Sequence, residues 1–451
     1  MKFQKRKDQK LKILSLGGWS GVNQNMLIYE TGNDILIIDC GIDFPAESMP
    51  GVEVIIPNIS YLKDKKSKIR GVVITHGHED HFGALPYHLP QLGNPPVFAT
   101  KLVKGFIQAK LEEFGVTFPK FHLIEPDKNS FVVGQFKLHP FRVNHSVPDS
   151  IGLCLETPVG KIFHVSDFKF DMTPVDGKVF QIGKAARLAH PKVLALISDC
   201  LGATTSGFTS SEQEIEKIFD QILDKAKGQV FITTISSNIS RLQQAIRVSL
   251  EHNRRIVILG RSLKEKIAVS RKLGYLKLNQ RNIVFPQKAK RFPQNKLTYL
   301  IAGSYGQSNS ALVRLAEGNY RDAKLEKGAL VVFSADPSPP GSKEAVDTVV
   351  DKLTLKGAKI HYYEIQENLH VSGHGSASDI RLLFALVRPK YFIPIGGDPR
   401  HIRAYSLLAK EMGAKEKQIL ELFNGEVVQF DRQQVQIVDK IKLKGIPVKP
   451  K

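Results

Sequence analysis

The sequence predicts an α/β protein with two domains, and three observations support this fold class. Up to residue 199, short β-branched apolar runs alternate with turn residues, as is typical of sheet proteins. After residue 199, strands and amphipathic helices alternate regularly, as in a doubly wound parallel sheet. The chain has 451 residues, which is more than a single hydrophobic core normally holds.

In the first part of the chain, turn residues and the spacing of apolar residues predict where strands and helices begin and end. The turn from Glu30 to Asp34 between two apolar runs predicts a hairpin. Apolar residues at helical spacing predict helices over residues 80–92 and 100–114. Further strands are predicted in KILSLGG, VEVIIP, RGVVITHG, PVFAT, FKLHPFRVNHS, IGLCLETPVGKIFHVSD and VLALISD. We therefore expect mixed sheets that are covered by helices.

The second part of the chain predicts a parallel sheet with strands VFITTIS, RIVILG, TYLIAGS and ALVVFSAD. Helices are predicted over residues 210–227, 238–252 and 262–273 and from Ser342 onwards. From His370, a histidine-rich segment leads to the strand KYFIPIGG and to a helix over residues 399–412. The Lys-rich end, DKIKLKGIPVKPK, is typical of a tail.

The charge balance predicts a polyanionic partner. Lys and Arg number 64 and Asp and Glu 44, so the net charge of +20 favours RNA or DNA, with a solvated basic surface as the alternative. The three cysteines form no CxxC pair, which points to a reducing cytosol. Because the sequence shows neither a signal segment nor a membrane span, we expect a cytoplasmic protein with no membrane contact.

The motif THGHEDH, which ends at His81, predicts a metal site. It follows the apolar run VVI and places three imidazoles and a carboxylate within six residues: His76, His78, Asp80 and His81. Such donors suit zinc or, less specifically, manganese or iron. A short loop cannot surround a tetrahedral ion by itself, so further ligands are expected from distant parts of the chain.

Three other residues that follow strand patterns are candidates for this site. His145 lies in RVNHSVPDS and Asp167 in HVSDFKFD, each just past an apolar run. Taken alone, a structural histidine and a turn or cap aspartate are the ordinary alternatives. Asp39 ends the run ILIID and is either a loop carboxylate or an acceptor that orients a histidine ligand.

The order of these strand-end residues resembles the metallo-β-lactamase superfamily. Further blocks narrow the resemblance to the ribonuclease J family of its β-CASP branch: LGGWSGVNQNM, GVVITHGHEDHFGALPY, NHSVPDSIGL, SDCLGATTSGFTSSE, GSYGQSNSAL, LHVSGHGS and VRPKYFIPIGGDPR. The resemblance spans residues 11–430. It implies an αββα sandwich with an inserted parallel β-CASP domain.

The resemblance also implies domain boundaries. The metallo-β-lactamase domain would comprise residues 1–203 and return over residues 367–430, with the β-CASP domain at residues 204–366 between them. Residues 431–451 would then form a basic C-terminal tail, without the C-terminal domain of the family.

Carried over residue by residue, the resemblance implies two metal sites and a proton donor. One ion would take His76, His78 and His145, and the other Asp80 and His81, with Asp167 as the bridge. The implied catalytic residues are Asp80, Asp167, Asp199 and His374. His374 would protonate the leaving 3′ oxygen and Asp199 would orient it.

Two groups of residues are implied to bind RNA phosphates. Within LHVSGHGS, they are His370, Ser372 and His374, for which a Gly-rich turn with solvated histidines is the alternative. The loops SSNISR and GRS each follow a strand and open a helix, where a phosphate can dock, and the resemblance implies that they hold the 5′-monophosphate of an RNA end, with plain helix capping as the alternative. The residues concerned are Ser236, Asn238, Arg241, Arg261 and Ser262.

Gly396 departs from the family pattern, because the family has a histidine ligand of the second metal at this position. We therefore expect one firmly bound zinc and a second ion that depends on the remaining ligands, with manganese or magnesium as other metals. The implied function is hydrolysis of single-stranded RNA from 5′-monophosphate ends in the 5′-to-3′ direction, with endonucleolytic cuts as a second activity.

Two other functions are open. Gly396 favours a catalytically weakened, RNA-binding paralogue that serves as a subunit of an active ribonuclease J, so a homodimer or a hetero-oligomer with a paralogue is the expected assembly. A small-molecule hydrolase is disfavoured by the inserted domain and by the segment HVSGHGS.

Overall fold

The chain folds into a sandwich of two sheets with an inserted parallel domain. The computed structural model describes residues 10–45, 49–128, 130–336, 342–364, 369–431 and 434–449. This part of the chain contains sheets of eight, six and five strands and one separate two-stranded pair. The predicted α/β fold class is therefore confirmed.

The strands of the first part of the chain are β1 (Leu11–Gly17), β2 (Met26–Thr31), β3 (Asp34–Ile38), β4 (Val54–Ile56), β5 (Ile69–Val73), β6 (Val97–Ala99), β7 (Phe121–Leu123), β8 (Phe131–Val133), β9 (Phe136–Arg142), β10 (Ile151–Thr157), β11 (Gly160–Val165) and β12 (Val193–Asp199). Those of the second part are β13 (Val230–Thr233), β14 (Arg255–Leu259), β15 (Leu297–Ile301), β16 (Leu330–Phe333), β17 (Lys359–His361), β18 (Pro389–Ile395), β19 (Glu426–Phe430), β20 (Val435–Lys440) and β21 (Ile446–Val448).

The helices are α1 (Glu79–Phe82), α2 (Leu85–His88), α3 (Lys101–Phe114), α4 (Ile182–Ala189), α5 (Glu214–Asp224), α6 (Ile239–Glu251), α7 (Arg261–Leu273), α8 (Pro286–Ala289), α9 (Ala311–Glu317), α10 (Ser342–Leu355), α11 (Ala377–Val387) and α12 (Pro399–Glu411). None of the described helices is long and apolar enough to cross a bilayer.

Two sheets pack face to face because their strands bury apolar residues on both sides. The first sheet has the order β20-β19-β1-β2-β3-β5-β6-β7 and the second β18-β12-β11-β10-β9-β8. In β3, Leu36 and Ile38 point into the core between the sheets, whereas Ile35 and Ile37 point to the helices on the outer face, as the alternation of side chains along a strand requires. Helices α4, α11 and α12 cover the outer face of the second sheet.

The inserted domain is a five-stranded sheet with the order β14-β15-β13-β16-β17, and all of its neighbouring strands pair in parallel. It lies in the chain between β12 and β18, which are themselves parallel neighbours in the second sheet. The expected boundary at residues 203/204 falls in the connection from β12 to α5. The expected boundary at residues 366/367 lies outside the described residues.

Two expectations about local structure are wrong. The helix predicted over residues 80–92 is divided into α1 and α2, because Pro86 opens a new first turn after Gly83 and Ala84. The predicted tail, residues 431–451, contains β20, which pairs with β19, and β21, which pairs with β4. The edge of β19 offers backbone groups with which β20 pairs, and the residues of β20 are mostly exposed.

Candidate metal centre

The predicted ligands meet at one edge of the sandwich because they follow strands that run in the same direction. We call residues 75–81, which follow β5 and include the first three residues of α1, the metal loop. Strands β11, β12 and β18 are consecutive parallel neighbours, so Asp167, Asp199 and Gly396, which lie at or just beyond their carboxyl ends, are brought together. Strand β3 pairs in parallel with β5 and thereby places Asp39 beside the metal loop.

The first ligand group comprises three histidines around one aspartate. Oδ2 of Asp167 lies 3.4 Å from Nε2 of His76 and 3.5 Å from Nε2 of His145. Nδ1 of His78 lies 2.9 Å from Nε2 of His145, and one ligand atom from each of the four residues lies within 4.8 Å of the others. Such a set of imidazole nitrogens and a carboxylate suits a zinc-like cation.

Hydrogen bonds hold the rings of His76 and His145 so that Nε2 of each faces Asp167. Nδ1 of His145 donates to the carbonyl oxygen of Gly373 at 2.7 Å, and Nδ1 of His76 lies 3.0 Å from Oγ1 of Thr75. Among the described residues, the buried Nε2 of His76 has no hydrogen-bond partner. A buried nitrogen lone pair aimed at a carboxylate is costly without a partner, and a cation would supply one. The residues therefore fit a metal ion.

The second ligand group comprises Asp80, His81 and Asp167. Nε2 of His81 lies 3.4 Å from Asp80 and 3.5 Å from the second oxygen of Asp167. Nδ1 of His81 donates to Asp39 at 2.8 Å, and the same carboxylate accepts from the backbone N–H of Thr75 at 2.8 Å. Asp39 thus fixes the ring of His81 with Nε2 towards the centre.

A third group links Asp167 to Asp199 and His374. Nδ1 of His374 donates to Asp199 at 2.7 Å, and its Nε2 lies 3.9 Å from Asp167. Burial lowers the pKa of His374, but the negative charges of Asp199 and Asp167 outweigh burial and raise the pKa to about 9. His374 is therefore an imidazolium at neutral pH and carries a transferable proton beside the two ligand groups.

Burial and charge set the protonation of the other site residues. Burial, reinforced by the neighbouring His76, lowers the pKa of His78 to about 3, so its ring is neutral and able to bind a metal. Burial also lowers the pKa of His81, but the carboxylates of Asp167, Asp80 and Asp39 outweigh it and raise that pKa well above its usual value. His81 therefore gives up a proton when a cation binds.

Three residues that contact the ligands were missed in the sequence. Nδ2 of Asn25 lies 3.0 Å from Nε2 of His81, and Oγ of Ser146 lies 3.1 Å from Nε2 of His78. The third is Gly373, whose Cα faces the ring of His145 so closely that a Cβ would lie 2.7 Å from Cε1. Asn25 and Ser146 lie within the blocks LGGWSGVNQNM and NHSVPDSIGL, which resemble the family, and this resemblance could have marked them as site residues.

The substitution Gly373→Ala is expected to weaken metal binding by about 10–100-fold, the range found when a group that supports a ligand is disturbed. The new Cβ would displace the ring of His145 and strain its hydrogen bond to the carbonyl oxygen of residue 373. Titration of the metal-free protein with Mn²⁺ measures the affinity. The matched control is Gly183→Ala on the exposed face of α4, where a Cβ meets nothing closer than 3.6 Å. Equal affinities in all three proteins would contradict the expectation.

Gly396 lies beside Asp199, a member of the third group. A Cβ at this position would lie 3.6 Å from Oδ1 of Asp199, so a longer side chain would point towards the centre. Asp398 and His401, the nearby residues with donor atoms, both take part in the cap of α12. The backbone N–H of Asp398 donates to Nδ1 of His401 at 3.1 Å, and Asp398 caps α12. Neither belongs to a ligand group of the described residues.

The predicted phosphate loops lie side by side. Oγ of Ser236 is 3.2 Å from Oγ of Ser262, at the amino end of α7. Arg261 extends into solvent with 85% of its side chain exposed, 3.4 Å from Glu113. Oδ1 of Asn238 accepts from the backbone N–H of Arg241 at 2.9 Å and caps α6.

Arg241 does not occupy the predicted position for phosphate binding. It is completely buried, donates to Glu212 at 2.7 Å and to Oγ of Ser334 at 2.7 Å, and contacts the carbonyl oxygen of Leu369. An arginine that turned outwards to RNA would deprive the buried carboxylate of Glu212 of its nearest counter-charge and leave it with Lys169, whose Nζ lies 4.0 Å away, which is unfavourable. Its role is to join α6 to the segment that leads to His370.

The segment from His370 to His374 lies over the ligand groups. Burial, with the positive charges of Arg241 and Lys169, lowers the pKa of His370 to about 3, so this ring is neutral. Oγ of Ser372 accepts from the backbone N–H of His374 at 3.0 Å. This hydrogen bond fixes the backbone at His374, the residue that carries the transferable proton.

Comparison with known proteins agrees with the fold. Family models match as "Metallo-beta-lactamase superfamily" over residues 19–214, "Ribonuclease J, beta-CASP domain" over 227–353 and "Zn-dependent metallo-hydrolase RNA specificity domain" over 359–420. A crystal structure of a protein of unknown function from Enterococcus faecalis has a TM-score of 0.63 at 13% identity and covers 95% of this chain and 100% of its own, which shows the shared fold.

Two relatives that match nearly the whole chain show which family it belongs to. Ribonuclease J of Synechocystis is 35% identical over 96% of this chain and 68% of its own length. Ribonuclease J of Thermus thermophilus is 36% identical over 96% of this chain and 76% of its own length. With the ordered ligand groups and the inserted parallel domain, these similarities identify the chain as a member of the ribonuclease J family.

Proposed function

We propose that this protein is a zinc-dependent ribonuclease that hydrolyses single-stranded RNA in the 5′-to-3′ direction from 5′-monophosphate ends. The observation that carries the proposal is that Asp167 is shared by three groups: two sets of metal ligands and the pair of Asp199 and His374. One carboxylate thus connects the residues that would hold cations to the residue that holds a proton.

The donor set supports zinc in the first group, where His76, His78 and His145 present ring nitrogens next to Asp167. The second group has more oxygen donors, so manganese or magnesium would also suit it. When bound, such ions lower the pKa of a water molecule and neutralise charge on the phosphate oxygens.

The chain's own residues supply the remaining chemistry. His374 holds a proton on an imidazolium ring, and Asp199 fixes the ring through Nδ1, so Nε2 is the atom that faces the substrate. When the bond from phosphorus to the 3′ oxygen breaks, Nε2 would donate its proton to that oxygen. The neutral ring of His370 and the hydroxyl of Ser372 lie in the same segment and would donate hydrogen bonds to non-bridging oxygens.

The preference for a 5′-monophosphate is supported by the loops at Ser236 and Ser262. Their hydroxyl groups are neighbours, and Ser262 belongs to the first turn of the 13-residue helix α7, whose free backbone N–H groups attract an anion. Arg261 is exposed next to them and would add a guanidinium contact.

The test uses RNA of a single sequence labelled at its 3′ end, with a 5′-monophosphate, a 5′-triphosphate or a 5′-hydroxyl. We expect processive release of mononucleotides from the monophosphate substrate, loss of activity with a chelator, and recovery with zinc or manganese. Metal analysis of the purified protein gives the identity of the ion. If no RNA is cleaved with any of these metals, the proposed activity is wrong.

A second candidate function is favoured by Gly396: an RNA-binding subunit with weakened catalysis. The substitution Gly396→His would restore the family's ligand type at a position whose Cβ faces Asp199 at 3.6 Å. Since φ is +71° at this position, a side chain costs about 1–2 kcal/mol of folding free energy. We expect tighter binding of a second Mn²⁺ and a higher kcat.

The control for this substitution is Gly396→Ala, which introduces the same backbone strain but no imidazole. Turnover by the unaltered protein at a rate that Gly396→His leaves unchanged would exclude the weakened subunit. RNA binding without cleavage, together with cleavage by Gly396→His, would instead exclude the enzyme.

A further inference from the structure

We infer that Lys266, on helix α7 of the inserted domain, is a positioning residue for the metal loop and acts through Glu79. The role of Lys266 in RNA hydrolysis rests on the proposed function. Its effect on the affinity of the protein for metal does not, because that affinity is measured without RNA.

Glu79 stands between two metal-loop ligands, His78 and Asp80, but its side chain points the other way, towards two lysines. Oε1 accepts from Nζ of Lys266 at 3.2 Å, and Oε2 lies 3.2 Å from Nζ of Lys110 on α3. The side chain of Lys266 is only 5% exposed. The metal loop is thus tied to both domains by one carboxylate.

The position of Lys266 is closely defined by its surroundings. Its Nζ lies 4.3 Å from the ring centre of Phe106 and 4.8 Å from that of Phe82, distances at which an ammonium group is attracted to an aromatic face. A buried ammonium without a counter-ion is strongly unfavourable. Glu79 and Lys266 therefore depend on each other, and neither can leave this place at low cost.

The helix α1 is too short to hold its own orientation and relies on outside contacts. Its carbonyl oxygens accept from the backbone N–H groups of Asn25, Cys40 and Ile42, and the Glu79 side chain adds the contacts to α3 and α7. The helix consists of four residues, Glu79–Phe82, and an isolated single turn of helix is unstable. Asp80 and His81 are on this turn and face Asp167, whereas Glu79 faces α3 and α7. Fixing the carboxylate on one side of the turn thus fixes the two ligands on the other side.

Helix α7 has a second connection to the reaction. It begins at Arg261, in the loop proposed for the 5′-phosphate, and Lys266 follows five residues later on the same helix. At 1.5 Å per residue this separation is about 7.5 Å along the axis. The helix that would receive the RNA end therefore also positions the ligands of the second group.

The test compares Lys266→Met with Lys272→Met, an exposed lysine near the end of the same helix. Methionine keeps the contacts with the two phenylalanine rings but removes the charge. Metal-free proteins are titrated with Mn²⁺ at a temperature at which thermal unfolding shows that all are folded. We expect Lys266→Met to bind Mn²⁺ about 10–100-fold more weakly, and Lys272→Met to be unchanged.

A double-mutant cycle with Glu79→Gln separates positioning from a general loss of stability. If Lys266 acts through Glu79, adding Lys266→Met to Glu79→Gln lowers Mn²⁺ affinity little further. Normal Mn²⁺ affinity in folded Lys266→Met, or fully additive effects, would overturn the inference. Should Lys266→Met fail to fold, Lys266→Gln takes its place in the cycle.

Cleavage assays then measure how the loss of Lys266 affects RNA hydrolysis. We expect Lys266→Met to lower kcat with little change in KM, because the ligands and not the RNA contacts are displaced. If the unaltered protein cleaves no RNA while Lys266→Met still loses Mn²⁺ affinity, the proposed function fails and the positioning role stands.

Discussion

The substitution Asp167→Asn is expected to abolish RNA hydrolysis, with a fall in kcat of at least about 10³-fold, as when one member of a catalytic unit is removed. Asp167 contributes a ligand atom to both metal groups and also faces His374. An amide has no charge to balance a cation and can place an N–H group where a lone pair is needed. We therefore expect the metal content, measured on the purified protein, to fall together with kcat.

The control for Asp167→Asn is Asp176→Asn, which makes the same chemical change on an exposed turn. Asp176 accepts a hydrogen bond from the backbone N–H of Lys178, and asparagine can do the same. This variant should keep full activity and metal content. An active Asp167→Asn with bound metal would contradict the central role of Asp167.

The substitution His374→Ala is expected to lower kcat by about 10²–10⁴-fold, the usual contribution of a general acid. Its metal content should be nearly unchanged, since the first ligand group does not include it. The decisive measurement uses RNA in which sulfur replaces the 3′ bridging oxygen at the scissile bond. A thiolate leaves without protonation, so this substrate should restore most of the lost rate.

The chain offers a matched control for His374→Ala. His252 forms a similar pair with Asp220, with Nε2 2.8 Å from the carboxylate, but on the surface of the inserted domain. His252→Ala should have normal kcat on both substrates. If the sulfur substrate gives no recovery with His374→Ala, the proton is supplied by another group.

The candidate ligands could be singled out in the sequence because each follows an apolar strand, whereas their division into two groups came from the family resemblance. Strands β11, β12 and β18 end at the same edge, so residues far apart in the chain are brought together by a pattern that is visible locally. The hairpin from β2 to β3 and the parallel order of the inserted domain were predictable for the same reason.

Contacts that depend on the third dimension were not predictable. The motif SSNISR places Arg241 on a helix beside a loop, but only the packed structure shows that Glu212 holds its guanidinium in the interior. The lysines that bind Glu79 come from α3 and α7, and local spacing gives no sign that these helices meet. The strand β20 was missed because its short pattern is weak without the neighbouring edge of β19.

The pairing of β19 with β1 has a consequence for the synthesis of the protein. Residues Leu11 to Leu14 pair with Phe430 to Val427, so the first strand of the sandwich receives this partner only after more than 400 further residues have been made. His374 and β18 also follow the inserted domain. A nascent chain on the ribosome therefore carries the metal loop before it has the proton donor or a closed sandwich. The site residues are therefore complete only after the whole inserted domain has been made, and the sandwich closes only when β19 follows.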